Sequence, residues 1–267
     1  MTRLCRRYGV TRAGYYAWRG RPISAHAEQD RRLGAAIQRI FLAHDGRYGS
    51  PRVHEALVRQ GVHVSRRRVA RLMRQTGLRA KAVRGYRAKV NVHRFYDRLP
   101  NRLRALRVTQ PNQVWVGDIT YLAVARRWWY LAVVLDQYSR RVLAWTVTPR
   151  RDARVTCAVL RAATRGRPAR ALIFHSDRGS EYMAAPFRAC VTKLGILQSA
   201  STRGPEDNAH MESFFHSLKG ELTRGVSFTT PRELRDALHR YLRYYNNTRM
   251  HSALGYRSPI AFETRAA

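Results

Sequence analysis

The sequence predicts an α/β domain built on a mixed sheet and preceded by an all-α region. Before about residue 80 the apolar residues recur at helical spacing. After Pro111 three short runs rich in Val, Trp and Tyr follow one another closely, and from Asp152 helical and strand-like segments alternate. At 267 residues the chain is long enough to bury a full core, and its length suits one larger domain with a smaller companion. A content of 45% hydrophobic and 25% charged residues is that of a folding chain, not a disordered one.

In chain order, residues 1–20 read as two short helices separated by a glycine, a fragment of helix-turn-helix character, with Tyr15, Tyr16 and Trp18 as aromatics that also suit a small core. From Glu28 to about Gly77 the text is a three-helix pattern in which Leu33, Ile37, Ile40 and Phe41 share one face. Ser65 is a fitting N-cap for the third helix and Gly77 a fitting stop. Val69, Leu72 and Met73 would face inward there, leaving Arg66, Arg67, Arg68, Arg71 and Arg74 outside, as on a recognition helix lying in a DNA groove. The plainer alternative is a solvated basic face, since arginine rows bind phosphates without reading bases. Residues 81–111 read as a basic linker.

The β part comprises VWVGDITYL, WWYLAVVLD and RRVLAWTVT, an expected antiparallel meander. A helix over about 152–165, the strand ALIFHS, a helix near 186–194 and the strand ILQSAS follow. Two closing helices are expected over about 208–223 and 231–246.

Charge restricts the function. There are 51 Lys and Arg against 17 Asp and Glu, a net +34 that attracts polyanions, of which nucleic acid is the default because each neutralised phosphate releases condensed counterions. A coding bias toward arginine would supply some of this charge but not so large an imbalance. No apolar stretch is long enough to span a membrane and no signal-peptide core is seen, so a soluble, cytoplasmic, nucleoid-associated protein is expected. Cys5, Cys157 and Cys190 are too scattered for a disulfide framework or a zinc site.

With acids this scarce, three stand out. Strand alternation puts Asp118 on one face with Val114 and Val116, among buried neighbours, where a charge needs a partner. Asp177 directly follows an apolar strand, at the carboxyl end where open α/β sheets place their ligands. On a helical wheel Met211, Phe215, Leu218 and Leu222 form the buried stripe, while Asn208, Glu212, His216 and Lys219 form an adjoining one, which sets Glu212 at the edge of the core. Three carboxylates converging on a sheet edge suit Mg²⁺ or Mn²⁺, hard cations that take oxygen ligands, and two such ions would serve in-line displacement at phosphorus. Taken singly, each aspartate would read more simply as a turn or cap residue. Asp136 is expected to cap a turn and Asp207 to cap a helix. His175, His210 and His216 lack an H-E-x-x-H arrangement, Ser176 and Ser180 lack a nucleophile elbow, and no glycine-rich phosphate loop occurs.

At WVGDITY, HSDRGSEY, STRGPEDNAHMESFFHSLKGEL and YYNNTRMHSALGYRSP the chain resembles the OrfB transposases of the bacterial insertion-sequence-three family, whose catalytic core is retroviral-integrase-like. The motifs occur in the family's order and, with the arginine-rich helices, cover nearly the whole chain. The resemblance implies an RNase H-like core with a mixed five-stranded sheet, and Asp118, Asp177 and Glu212 as a DDE triad holding two Mg²⁺ or Mn²⁺ ions. It implies that Lys219 contacts the element's terminal DNA, and Asn208, Arg249 and His251 in the same motifs are expected on DNA with it. The 34 residues between Asp177 and Glu212 (212 − 177 − 1) are one fewer than is common, a difference that falls in the RGPEDNA loop and should cost little there.

The expected organisation is a helical DNA-binding region over 1–80, a linker over 81–111, the catalytic core over 112–225, and a helix with a basic tail over 226–267 completing the integrase-type region. The expected activity is metal-dependent cleavage and strand transfer at insertion-sequence ends. Expected partners are the terminal inverted repeats, target DNA, further copies of the chain on that DNA, and the upstream-frame OrfA product or a fusion with it. The rival readings are an RNase H-like nuclease without strand transfer and a transposase-derived DNA-binding protein without activity.

Overall fold

The computed structural model describes residues 1–22, 24–81, 99–167, 171–202 and 208–265. Most of the expected linker, residues 82–98, and Asp207 lie outside them. The chain divides into two compact units, Met1–Ala80 and Lys81–Ala267.

The first unit begins with α1 (Thr2–Arg7) and α2 (Arg12–Arg19), the second capped by Thr11 Oγ1 accepting from Gly14 N–H at 3.0 Å. Tyr16 and Trp18 are exposed, so these aromatics do not form a core. Helices α3 (Ala25–Ala43), α4 (Ser50–Arg59) and α5 (Arg66–Gln75) bury Leu33, Ile37, Ile40, Val53, Leu57, Val69, Leu72 and Met73. Ser65 Oγ accepts from Arg68 N–H at 3.2 Å and Gly77 takes φ +69°, the cap and stop read from the sequence. Asp30 on α3 fastens α5, accepting from Arg68 Nε and from Arg71 Nη2, each at 2.7 Å. Two of the arginines expected on DNA therefore also tie helices together, while Arg66, Arg67 and Arg74 stay exposed.

The second unit is built on a five-stranded mixed sheet in the order β3-β2-β1-β4-β5. Strands β1 (Val114–Val124), β2 (Arg127–Asp136) and β3 (Val142–Thr148) form the antiparallel meander; β4 (Ile173–Ser176) and β5 (Leu197–Ala200) run parallel to β1. Because side chains alternate, β1 serves two cores. Val114 and Val116 pack with Leu131, Val133 and Leu135 of β2 under α9 (Ala209–Leu218) and α10 (Pro231–Asn247), which contribute Phe214, Leu218, Leu238 and Tyr241. Trp115 on the other face packs with Phe174, Leu160 of α6 (Ala153–Thr164), Tyr182 of α7 (Ser180–Met183) and Phe187 of α8 (Ala185–Lys193). Each fully buried aromatic or branched side chain contributes roughly 1.5–3 kcal/mol by leaving water.

Side-chain amides and carboxylates close the backbone groups that the sheet leaves over. Asn246 of α10 accepts from Val142 N–H at 2.9 Å and donates to Val142 O at 2.8 Å, standing in for a neighbour on the edge strand β3. Asp136, fully buried, accepts from Asn112 N–H and from the Ser139 N–H and hydroxyl, the turn-capping role expected of it. The closing helix departs from expectation after Leu218. Residues Lys219–Thr223 form a π-helical turn, which carries Glu221 into the interior. A short α11 (Pro259–Glu263) ends the fold.

Gly117 is held by packing, since a Cβ there would collide with the Phe174 ring on the neighbouring strand. Gly117→Ala should therefore destabilise the chain by roughly 1–3 kcal/mol in urea unfolding, with Phe174→Leu in the same chain recovering part of the loss. Equal midpoints for wild type and Gly117→Ala would contradict this packing.

Candidate active site

The last paired positions of β1 and β4 are Gly117 and Ser176. Asp118 and Asp177 are the next residue on each strand, so parallel pairing at a spacing of roughly 4.8 Å delivers the two carboxylates side by side. Asp118 lies on the face of β1 that carries Val114 and Val116, as alternation requires, with β1 running on past it to Val124. Asp118 Oδ1 accepts from Ile119 N–H at 2.7 Å, and Asp177 Oδ1 accepts from Gly179 N–H at 3.0 Å. A Cβ on Gly179 would lie 3.0 Å from Asp177 Oδ1 and 2.8 Å from Glu181 Oε1, so a side chain there would push on both carboxylates.

Burial, and then the Asp177 charge, push the Asp118 carboxyl up to about 8. Burial also raises Asp177, with the nearby Glu181 charge adding to it. Two carboxylates held this close without enough opposing charge are the donor set that a hard divalent cation satisfies.

A pair that sequence reading did not select lies beside them. Glu181 on α7 is 3% exposed and accepts from Arg151 Nε at 3.0 Å and Nη2 at 2.8 Å; both groups act electrostatically on the two aspartates. Glu181 was within reach, four residues after Asp177 in HSDRGSEY. One arginine among so many basic residues gave no signal for Arg151.

Glu212 stands on the first turn of α9 and is exposed, with no ion pair among the described residues. It is not drawn to the aspartates, and among the described residues no three His, Cys, Asp or Glu side chains gather closely enough to hold a metal. Its helix is nevertheless fastened to the right strand. Asn208, buried one turn earlier, donates from Nδ2 to Gly117 O at 3.4 Å, while its Oδ1 is buried and accepts nothing among the described residues. Lys219, two turns beyond Glu212, sets its Nζ 4.6 Å from the centre of the Tyr121 ring; burial lowers its pKa and the Asp118 charge acts against that.

Arg249 is corrected from an expected DNA contact to a core residue. It is 4% exposed, donating from Nε at 2.9 Å and from Nη2 at 2.6 Å to Glu221, and from Nη2 to Ser217 Oγ at 3.1 Å; His251 lies 3.3 Å from its Nη1. A guanidinium 4% exposed and paired through Nε and Nη2 to a buried carboxylate is held inside the fold, away from a phosphate backbone. His251, partly buried, is held beside that ion pair and is also turned to the fold. Tyr241 OH donates to Glu221 Oε2 at 3.1 Å, so the π-turn, α10 and the segment after it meet at one buried charge.

Residues 108–205 and 195–259 match families described as Integrase core domain, and residues 28–86 match one described as HTH-like domain, so the chain binds DNA. It is 37% identical to transposase InsF for insertion sequence IS3A of Escherichia coli strain K12, over 98% of this chain and 93% of that one. It is 36% identical to the transposase for insertion sequence element IS904 of Lactococcus lactis, over 91% of this chain and 97% of that one. An uncharacterized 31 kDa protein of insertion element IS600 from Shigella sonnei is 36% identical over 98% of both chains. The HTLV-2 integrase catalytic core domain, solved in complex with magnesium, superposes with a TM-score of 0.48 at 17% identity, over 59% of this chain and 99% of that one. The family matches and relatives make the second unit a polynucleotidyl-transferase core of integrase type. The chain belongs to the insertion-sequence-three family of DNA transposases. Among the described residues no helix is long and apolar enough to cross a membrane.

Two outcomes follow from the charges. Because the folded-state pKa of Asp118 is raised, its proton favours the fold below the ordinary carboxylate range, and that contribution is lost as pH rises toward about 8. In EDTA, thermal unfolding should show stability falling over that window in wild type and a flatter profile, with a higher midpoint at pH 8, in Asp118→Asn; parallel profiles would count against the reading. Arg249→Ala, which strands a buried Glu221, should cost roughly 3–5 kcal/mol in urea unfolding, and a loss below about 1 kcal/mol would show the pair to be dispensable.

Proposed function

We propose that Asp118, Asp177 and Glu212 are the catalytic carboxylates of this transposase, holding Mg²⁺ or Mn²⁺, as two ions, for cleavage and strand transfer at insertion-sequence ends. The observation that carries the reading is the side-by-side delivery of Asp118 and Asp177, with Asp118 pushed up to about 8 by burial and by its neighbour. Divalent ions bound there would activate the attacking oxygen and stabilise the leaving one. The chain's own groups do the rest. Asp118 and Asp177 would hold the ions against which the phosphodiester is set, and Glu212, exposed one turn past the Asn208 anchor on α9, would be their third carboxylate. Both chemical steps are single in-line displacements. In the first, a water oxygen gives up a proton and bonds to phosphorus while the DNA 3′-oxygen leaves and takes up a proton; in the second, that freed 3′-hydroxyl gives up its proton, bonds to a target phosphorus and displaces the target's 3′-oxygen, which takes up a proton.

Glu181 is the rival third ligand, being buried and close to both aspartates. Its charge is already answered by two hydrogen bonds from Arg151, whereas that of Glu212 is not, which favours Glu212. In this reading residues 1–80 form the DNA-binding region, 81–111 the linker, 112–225 the catalytic core and 226–267 its completion. Arg66, Arg67 and Lys219 contact DNA, with Arg68 and Arg71 limited to what Asp30 leaves them. Several copies bridge two element ends, together with the upstream-frame product or fused to it.

Duplexes carrying the element's ends should be nicked and joined to target DNA in Mg²⁺ or Mn²⁺, by the chain or its upstream-frame fusion. Asp118→Asn, Asp177→Asn and Glu212→Gln should each lose at least about a hundredfold in rate. Full activity in Glu212→Gln with loss in Glu181→Gln would move the third ligand to Glu181. Cleavage without joined product would make the protein a nuclease, and binding without cleavage in every form would leave it a DNA-binding protein only.

A further inference from the structure

Beyond the carboxylates, β1 and β2 continue as a hairpin whose outer part carries a feature the chemistry above does not use. Tyr121 and Trp128, on opposite strands, meet edge to face with ring centres 4.9 Å apart, yet remain 48% and 58% exposed. Large aromatic rings left in water side by side are uncommon unless something covers them in use. Here the surroundings are cationic. Lys219 lies over the Tyr121 ring, and Arg126 and Arg127 are exposed at the hairpin tip. The tip is fixed from behind: Leu122 and Val124 are buried on the opposite face, and Ala125 N–H donates to Phe228 O at 3.0 Å. The rings thus stand on a braced support.

Position supplies the occupant. Tyr121 is three residues from Asp118, about 10 Å along a strand, or about three base steps of DNA. Lys219 sets its Nζ over the Tyr121 ring, and the Asp118 charge acts on it. By alternation Tyr121 belongs to the other face of β1 from Asp118, and Lys219 is the link: a strand whose phosphodiester lies at the carboxylates and whose adjoining phosphate meets Lys219 would reach this pair. A base stacked in duplex offers no open face to it; an unstacked base does, and aromatic side chains flanked by cations are the platform on which such bases settle.

We propose that Tyr121 and Trp128 form a stacking platform for an unpaired base of the element-end strand, with Lys219, Arg126 and Arg127 holding the adjoining phosphates. The proposal rests on the reading of Asp118, Asp177 and Glu212 as the cleavage centre. The probe is an element-end duplex with 2-aminopurine in place of a base next to the cleaved bond, bound by the full chain or its upstream-frame fusion and read by fluorescence without cleavage. Wild type and Asp118→Asn should alter the 2-aminopurine emission alike. Trp128→Ala should remove most of that change and weaken binding of the end about tenfold, Trp128→Phe should retain most of both, and affinity for unrelated fully paired duplex should stay within about twofold in each. Equal emission from wild type, Trp128→Ala and Tyr121→Ala would overturn the platform. So would a Trp128→Ala variant whose only change is a lower oligomeric state in light scattering, which would assign this face to contact between copies. Full cleavage by Asp118→Asn alongside lost emission in Trp128→Ala would overturn the cleavage centre and leave the platform standing.

Discussion

The parallel ladder between β1 and β4 is the constraint on which the rest of the second unit depends. Parallel strands keep their residues level, so a ladder ending at Gly117 and Ser176 must present Asp118 and Asp177 together at its open end. The ladder in turn depends on close packing behind it, because Gly117 lets the Phe174 ring lie against β1 and join Trp115, Tyr182 and Phe187 in one core. Two carboxylates forced together in partly buried surroundings raise the free energy of their charged forms, and it is the fold that bears this. The arrangement makes sense for groups whose natural counter-charge is a divalent cation.

Charge is distributed with unusual economy. In a chain of net +34, most of the few acids with identifiable partners fasten structure. Asp30 joins α3 to α5 through Arg68 and Arg71, Glu221 holds Arg249, Glu263 takes Arg167 at 2.6 Å, and Asp136 closes a turn. Among the described residues Asp118 and Asp177 stand out as neighbouring carboxylates, both raised by burial, with no direct cationic partner, and Glu212 stands exposed on the helix that Asn208 fastens to Gly117. The surplus of arginine elsewhere is what DNA contact requires, and it bears on affinity and salt dependence more than on fold.

Much of this was legible in the sequence. Period-two alternation placed Asp118 on the inward face of β1, and the apolar run before Asp177 placed it at a strand end. Five strands and the main helices fell near their true bounds because their apolar periods are strong. The failures share a cause, which is that partner identity is a tertiary matter. Arg249 reads as one more basic residue near the C-terminus and only the fold reveals Glu221 facing it. Arg68 and Arg71 are likewise indistinguishable from Arg66 and Arg67 until Asp30 is brought beside them. The π-turn at Lys219–Thr223 has no local signature, and the wheel that set Glu212 at the core's edge could not tell a half-turned side chain from an exposed one.

The central claim is that Asp118 and Asp177, together, form the seat of the divalent ion. Mn²⁺ titration of the full chain, with free ion counted by electron paramagnetic resonance, tests it most directly. The account predicts that Asp118→Asn and Asp177→Asn each abolish the tight binding seen in wild type while Glu212→Gln only weakens it. Wild-type Mn²⁺ affinity in both aspartate variants would contradict it.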